Sequence, residues 1–483
     1  MPRYPGFIGE AYPSSSYQER AILENFFLEK NESDGAPTPF GLRPTPGLIL
    51  RASVSQAPIR GTYAGDGQAY FLAGFAFYEL LLDGLTWTPT LRGTVVSDGS
   101  PGTIAANGVG DQLGITSGGV FYCYDRTTHA LVVAGVPGTV ATMGGSLNGR
   151  FYYLEARSGT VYSSSLYNGL TWDPSHYLQS TAGDPWITLA VTPDGFIRLF
   201  GPLTGEILVD QGNPGFPCVT VQEGRIPFGI LAPYAFAVDT SISWVTRSAK
   251  GRGQVVRAQG YAPNRISNHG IEHTIQSYGA VDDALAFSYQ SEGHPTAVFT
   301  FPAAEDGLGR TWAVDEATGK WHGRSFWNVA TGVAQAYRPA YAMEAFGATL
   351  VGDRVTGSIY ELTPASFTDV GGALIRHVRQ PAPLTLERRR YVVDSFELSM
   401  DVGVGLISGQ GSDPQAMLRI SRDGGKSFGG PHWTTLGAQG EYRTRVLWNQ
   451  LGNCRSFVPQ LVITDPVPAR VTDATITIRP EAA

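Results

Sequence analysis

Apolar residues in this chain come in short runs separated by polar loops that carry glycine, and the alternation recurs. The plainest instance is Ala348-Thr-Leu-Val-Gly-Asp-Arg-Val-Thr-Gly-Ser-Ile-Tyr-Glu-Leu362. One apolar run enters a polar loop ending at Thr356-Gly357, and a second, Ile359-Tyr360, leaves it. β-Branched and aromatic residues on both sides of such a loop predict two antiparallel strands. A lone hairpin has one apolar face with nothing to cover it and is marginal in water.

The same pattern returns at Gly149–Tyr162, Gly195–Leu208 and Gln112–Phe121, and more weakly at Tyr70–Tyr78, Ser243–Val256 and Thr311–Trp321. Its turn glycines are Gly74, Gly118, Gly159, Gly205, Gly253, Gly319 and Gly357, with a long gap before Gly319 and a short one after it. A second echo, Gly84-Leu-Thr-Trp-Thr-Pro89, returns as Gly169-Leu-Thr-Trp-Asp-Pro174, two repeats further along. Short strands at a period of roughly 40–50 residues predict an all-β chain built on a β-propeller. About seven blades are expected, within a range of six to eight. An ordinary β-sandwich has no reason to keep a fixed period.

Residues 1–57 carry no repeat and are read as an N-terminal arm. Within it, Tyr17–Leu28 fits either a short helix or an extended strand, and Leu42-Arg-Pro-Thr-Pro-Gly-Leu48 is a rigid turn. The propeller is placed at 58–366. Beyond it, residues 367–483 alternate with period two, at Tyr391–Leu398, Ala416–Ser421, Arg443–Trp448, Phe457–Ile463 and Ala474–Ile478. This predicts a second, β-sandwich-like domain.

Composition narrows the function. Sixty glycines, 32 prolines and only 16% charged residues suit turn-rich β architecture. A net charge of −7 argues against a protein held on nucleic acid by phosphate contacts. No apolar run is long enough to span a membrane, and the first residues, Met1-Pro-Arg-Tyr-Pro-Gly6, lack a signal-peptide core. Cys123, Cys218 and Cys454 are odd in number and far apart, which predicts neither a disulfide framework nor a metal motif. Synthesis in a reducing cytoplasm is the simplest fit.

Four stretches look like chemistry. His269-Gly-Ile-Glu-His273 matches a zinc-peptidase string that works only on a helix; Gly270 and the flanking residues predict a strand or loop instead. Gly425-Lys426-Ser427 is a fragment of a phosphate loop without its leading glycine. Ser421-Arg-Asp-Gly-Gly-Lys-Ser-Phe428 has the form of an Asp-box turn, in which Asp423 accepts from its own turn amides and Phe428 packs beneath. A sialidase also needs an arginine cluster gripping the substrate carboxylate and a nucleophile with its acid partner, and no such cluster can be assigned; acidic pairs such as Asp282-Asp283 are too common to name as catalytic. The basic run from Arg376 to Arg390 is read as solvated or as part of a subunit interface. No catalytic, cofactor-binding or metal residue is therefore predicted, and no cofactor.

Taken in order, the segments resemble the packaged-DNA stabilisation proteins of short-tailed phages, also called tail nozzle or tail accessory proteins. The resemblance rests on Ser16-Tyr-Gln-Glu-Arg20, Phe26-Phe-Leu-Glu-Lys30, Arg43-Pro-Thr-Pro-Gly-Leu48 and Arg60-Gly61. It continues through Gly260–His269, Glu292-Gly-His294, Trp321-His-Gly-Arg324, Gly357-Ser-Ile-Tyr360, Ser421–Gly425 and Leu447–Arg455. Ala21-Ile-Leu-Glu-Asn-Phe-Phe27 departs from the Cys-Ile-Asn-Leu-Tyr that relatives usually carry.

The resemblance implies a non-enzymatic virion protein. Six copies would form a ring below the portal and its adaptor, continue the DNA channel, retain the genome and dock tail fibres or spikes. Six copies at −7 each carry −42, so such walls repel duplex DNA and let it slide without sequence-specific binding. Two other classes stay open at this point. A glycan-binding or sialidase-like propeller would account for the Asp box, and a sequence-tolerant DNA binder would show steep salt dependence.

Overall fold

The computed structural model describes residues 3–4, 6–14, 16, 19–33, 38–180, 182–387 and 389–480. Seven antiparallel blades surround one axis, at residues 59–94, 103–133, 143–179, 188–220, 229–265, 285–328 and 339–363. Middle strands such as Gln68–Ala73, Arg150–Glu155 and Phe196–Phe200 are buried along nearly their whole length. Each lies between two neighbouring blades, so both its faces must be apolar. Inner strands crowd the axis and are rich in small residues, as in Thr103–Ala106 and Met143–Leu147. A Cβ on Gly145 would sit 2.6 Å from Val191 in the next blade.

The predicted hairpin is the central strand pair of blades one to five and of blade seven. In blade six the motif lies one strand further out, pairing Arg310–Asp315 with Lys320–Asn328. That displacement makes the gap before Gly319 long and the gap after it short. Gly253 is not a turn residue. It sits inside the strand Gly251–Gln259, beside a register shift, where a Cβ would meet Ile275 at 3.1 Å. Gly357 serves close approach too, since a Cβ there would collide with the Gln56 carbonyl.

Residues 1–57 are not a separate arm. Four strands come from them: β1 (Ile22–Glu24), β2 (Phe26–Lys30), β3 (Phe40–Pro44) and β4 (Gly47–Ser53). In the Tyr17–Leu28 stretch, Glu19 lies in a turn and the chain then runs extended as β1 and the start of β2, broken only at Asn25; Tyr17 and Gln18 lie outside the described residues. β4 is the outer strand of blade seven, antiparallel to Ser358–Thr363, and closes the ring with chain from its beginning. β4 covers the edge of Ser358–Thr363 and becomes the outer edge strand of blade seven.

The C-terminal residues form a two-sheet sandwich with strands from the beginning of the chain. One sheet holds β2, β3, Val471–Pro480, Tyr391–Met400 and Val446–Cys454. The other runs His377–Gln380, Ser456–Ile463, Gln415–Ser421 and His432–Thr435. That second sheet is continuous with blade six. β1 lies antiparallel to His377–Gln380 and, through Glu24 opposite Gly323, parallel to Lys320–Asn328, which makes one sheet of eleven strands. Tyr4 and Phe7 fill the sandwich core against Phe396, with ring centroids 6.0 and 5.4 Å away. A single apolar cluster runs from Trp244 in blade five to Ile476 in the sandwich.

Candidate functional site

The features that fix the shape of the whole body meet where blade six, the sandwich and the N-terminal strands join. Asn25 stands at the centre, 1% exposed, with φ of 55°. Asparagine tolerates this left-handed backbone better than most residues. Its side-chain amide donates to the carbonyls of Arg376, at 2.9 Å, and Ser325, at 3.2 Å, while its side-chain oxygen accepts from the Ser325 amide at 3.0 Å. Its backbone N–H donates to Gly323, and its carbonyl accepts from Thr45. One residue therefore ties together blade six, the sandwich and the turn before β4.

Arg379 does the same for the first residues. It is 1% exposed, and among the described residues no carboxylate pairs with it. Its guanidinium donates to the carbonyls of Gly6, at 2.8 Å, and Ile22, at 3.2 Å, and also to Phe7. Burial pushes its pKa down to about 9, opposed by Tyr4. Carbonyl oxygens thus replace the water it has lost. Nearby, Glu24 and Arg310 pair at 2.7 Å. Arg324 stacks on Tyr337 at 4.1 Å and donates to the Pro46 carbonyl. His322 and His377 are buried in the same joint. Burial pushes their pKa values down to about 3 and about 4, so both rings are neutral near pH 7.

These contacts correct the reading of the basic run. Arg379 and His377 are core residues and Arg376 is half-buried over the Trp327 ring, whereas Arg389 and Arg390 are exposed. Arg388 lies outside the described residues. The run is split between core and surface because its first part enters the strand His377–Gln380, whose four residues are all buried, whereas Arg389 and Arg390 lie outside any strand and face solvent.

His269–His273 is helical, not a strand or loop. It opens α1 (His269–Ser277), capped by Asn268, whose side chain accepts from the Ile271 amide at 2.9 Å. Gly270 is required by packing, since a Cβ would lie 2.9 Å from the Pro13 carbonyl. The glutamate is not poised as a base. Glu272 is buried and bonded to Arg265 at 2.5 Å and to the Ser267 hydroxyl at 2.6 Å. Both histidines are exposed. Among the described residues, no group of three His, Cys, Asp or Glu side chains is placed to hold a metal.

The Asp box lies at the tip of a sandwich hairpin, not in a blade. Asp423 accepts from the Ser421 and Ser427 hydroxyls, both at 2.6 Å, and from the Lys426 and Ser427 amides. These bonds hold its carboxyl well below the usual range. Phe428 is half-buried beneath Arg419, 5.4 Å from its ring centre. Gly425-Lys426-Ser427 belongs to this turn and leads into no helix. Asp283 lines one mouth of the propeller axis, its pKa raised by burial. All three cysteines are buried as free thiols.

The axis itself holds a cavity of about 630 Å³. Its wall is backbone and small side chains, among them Gly61, Ala105, Ser146, Thr192 and Ala342, with no ionisable group other than tyrosine among the described residues.

The chain matches two family descriptions in sequence: the β-propeller of bacteriophage P22 Gp10 over residues 17–367, and the β-sandwich of the same protein over residues 376–479. No curated protein matches. Among solved structures, similarity extends to a catalytically inactive virginiamycin B lyase from Staphylococcus aureus with quinupristin, at 10% identity and a TM-score of 0.44, covering 65% of this chain and 98% of that one. The WD40 repeats of RRP9 give 8% identity and a TM-score of 0.42, covering 66% and 99%. The extracellular domain of the putative hybrid two-component system BT4673 from B. thetaiotaomicron gives 9% and 0.44, covering 86% and 56%. With the two matched stretches accounting for nearly the whole chain, the protein belongs to the bacteriophage P22 Gp10 family, a tail and DNA-stabilisation protein family of short-tailed phages.

Proposed function

We propose that this protein is the nozzle component of the tail: a ring of six copies below the portal and its adaptor that continues the DNA channel, helps retain the packaged genome and docks fibres or spikes. It works as a part, not as an enzyme. The observation that carries the reading is the eleven-stranded sheet joining blade six to the sandwich. A subunit that must hold its place under the pressure of packaged DNA needs its two domains fixed as one body. A joint of paired strands and buried hydrogen bonds supplies that, where a flexible linker would not.

The conduit in this reading runs between copies. The propeller's own axial cavity, at about 630 Å³, has the size of a small-molecule pocket and not of a duplex channel. A surface carrying −7 per copy favours passage over retention by phosphate contacts. Mass measurement on assembled tails is expected to give six copies per tail, and duplex binding by the isolated chain is expected to be weak at physiological salt. A monomer persisting in the virion, or tight duplex binding with a steep salt slope, would contradict it.

A further inference from the structure

A second cavity, of about 480 Å³, opens at the same joint, between α1, blade six, β1 and the sandwich strand His377–Gln380. Its size and its place at a domain boundary are those of a ligand site. Its walls are partly apolar, with Trp312, Trp327 and Val378. Its charges are unevenly spent. Glu24 pairs with Arg310 through Oε2 at 2.7 Å, and its buried Oε1 makes no hydrogen bond among the described residues. Arg376 stacks on Trp327, 4.8 Å from the ring centre, and its guanidinium makes no hydrogen bond or ion pair among the described residues. Arg20, which also lines the cavity, likewise has no acidic partner among the described residues.

We propose that this cavity is a docking site for an extended segment of a partner protein presenting a carboxylate side chain beside an aromatic or aliphatic one. The carboxylate pairs with Arg376, and the apolar neighbour lies against Trp312 and Trp327. Arg376 is preorganised for this: the indole restrains its plane, and a guanidinium offers two parallel donors to a carboxylate. Half-burial weighs against its charge and pulls its pKa down; Glu24 offsets this only in part, and Arg419 adds repulsion. An incoming carboxylate relieves both. A polyphosphate or DNA backbone fits less well, because Glu24 and Glu305 also line the cavity and two tryptophans form part of its wall. The site does not depend on the six-copy ring, and either idea can fail without the other.

The test is selection of a randomised twelve-residue peptide library on the immobilised full-length chain. Enriched peptides are expected to carry Asp or Glu next to an aromatic or aliphatic residue. A synthetic copy should bind at least tenfold more weakly to Arg376→Gln, and equally weakly to the wild-type chain when its carboxylate is replaced by the amide. Arg20→Gln, a change on an exposed side chain, should weaken binding by a smaller factor and serves as the second variant if Arg376→Gln does not fold. No enrichment of acidic peptides, or binding that neither arginine affects, would overturn the assignment. So would a 20-base-pair duplex or inorganic phosphate that displaces the peptide at matched ionic strength.

Discussion

Blades three and six start from the same four-stranded plan and end in opposite ways. The outer strand of blade three, Asn168–Gln179, is a free edge with exposed Leu170 and Tyr177, and it carries Pro174 and two register shifts against its neighbour. Proline and irregular pairing are how an edge avoids recruiting another strand. The outer strand of blade six, Lys320–Asn328, is buried over most of its length and leads through β1 into the sandwich. One edge is finished against solvent; the other is used to build. Substitutions in the two places should therefore differ in kind.

The largest effect is expected from Arg379→Met. It removes the donor shared by the carbonyls of Gly6, Phe7 and Ile22. At about 1–3 kcal/mol for each buried group left without a partner, the loss should exceed about 3 kcal/mol in chemical denaturation. Asn25→Ala comes next. It strands the Ser325 N–H and the Arg376 carbonyl, for a loss of about 2–4 kcal/mol.

Acid should loosen the same joint. His322 and His377 refuse protons in the folded chain until about pH 3 and pH 4, whereas unfolded histidines accept them near pH 6.5. The unfolded state therefore gains protons first as pH falls. Stability should drop below pH 6.5, by up to about 1.4 kcal/mol per pH unit per histidine, and continue dropping towards pH 4. Asp369, raised to about 6 by burial, takes up its proton earlier in the folded state and offsets part of that slope between pH 6 and its ordinary range near 3.8. Thermal melts from pH 7 to pH 4 measure the net slope, and His322→Gln should flatten it. At the other end of the scale, Leu170→Lys on the free edge of blade three should change stability by less than about 0.5 kcal/mol.

This contrast also marks what could be read from sequence. Free blades repeat because each solves the same packing problem, so the hairpins around Gly118, Gly159 and Gly205 stand out, and the sandwich strand Phe457–Ile463 stands out by its apolar content. The joint repeats nothing. β4 belongs to blade seven, yet it stands near the start of the chain while its partner, Ser358–Thr363, comes after all the other blades, and no local pattern marks the pairing. His377–Gln380 is a strand whose four residues are all buried, so it lacks the alternation that signals a half-exposed strand. Arg379 looks solvated in sequence because the carbonyls that bury it come from residues 6–22. α1 is hidden by Gly270, whose cost to a helix is outweighed by its contact with Pro13.

Amide hydrogen exchange on the intact chain tests the joint most directly. If the N-terminal strand locks propeller to sandwich, amides in Ile22–Glu24, Lys320–Asn328 and His377–Gln380 exchange as slowly as those in Ser456–Ile463, at the heart of the sandwich. Exchange there as fast as in Asn168–Gln179 would mean that the two domains move independently, and the account of a single rigid subunit would be wrong.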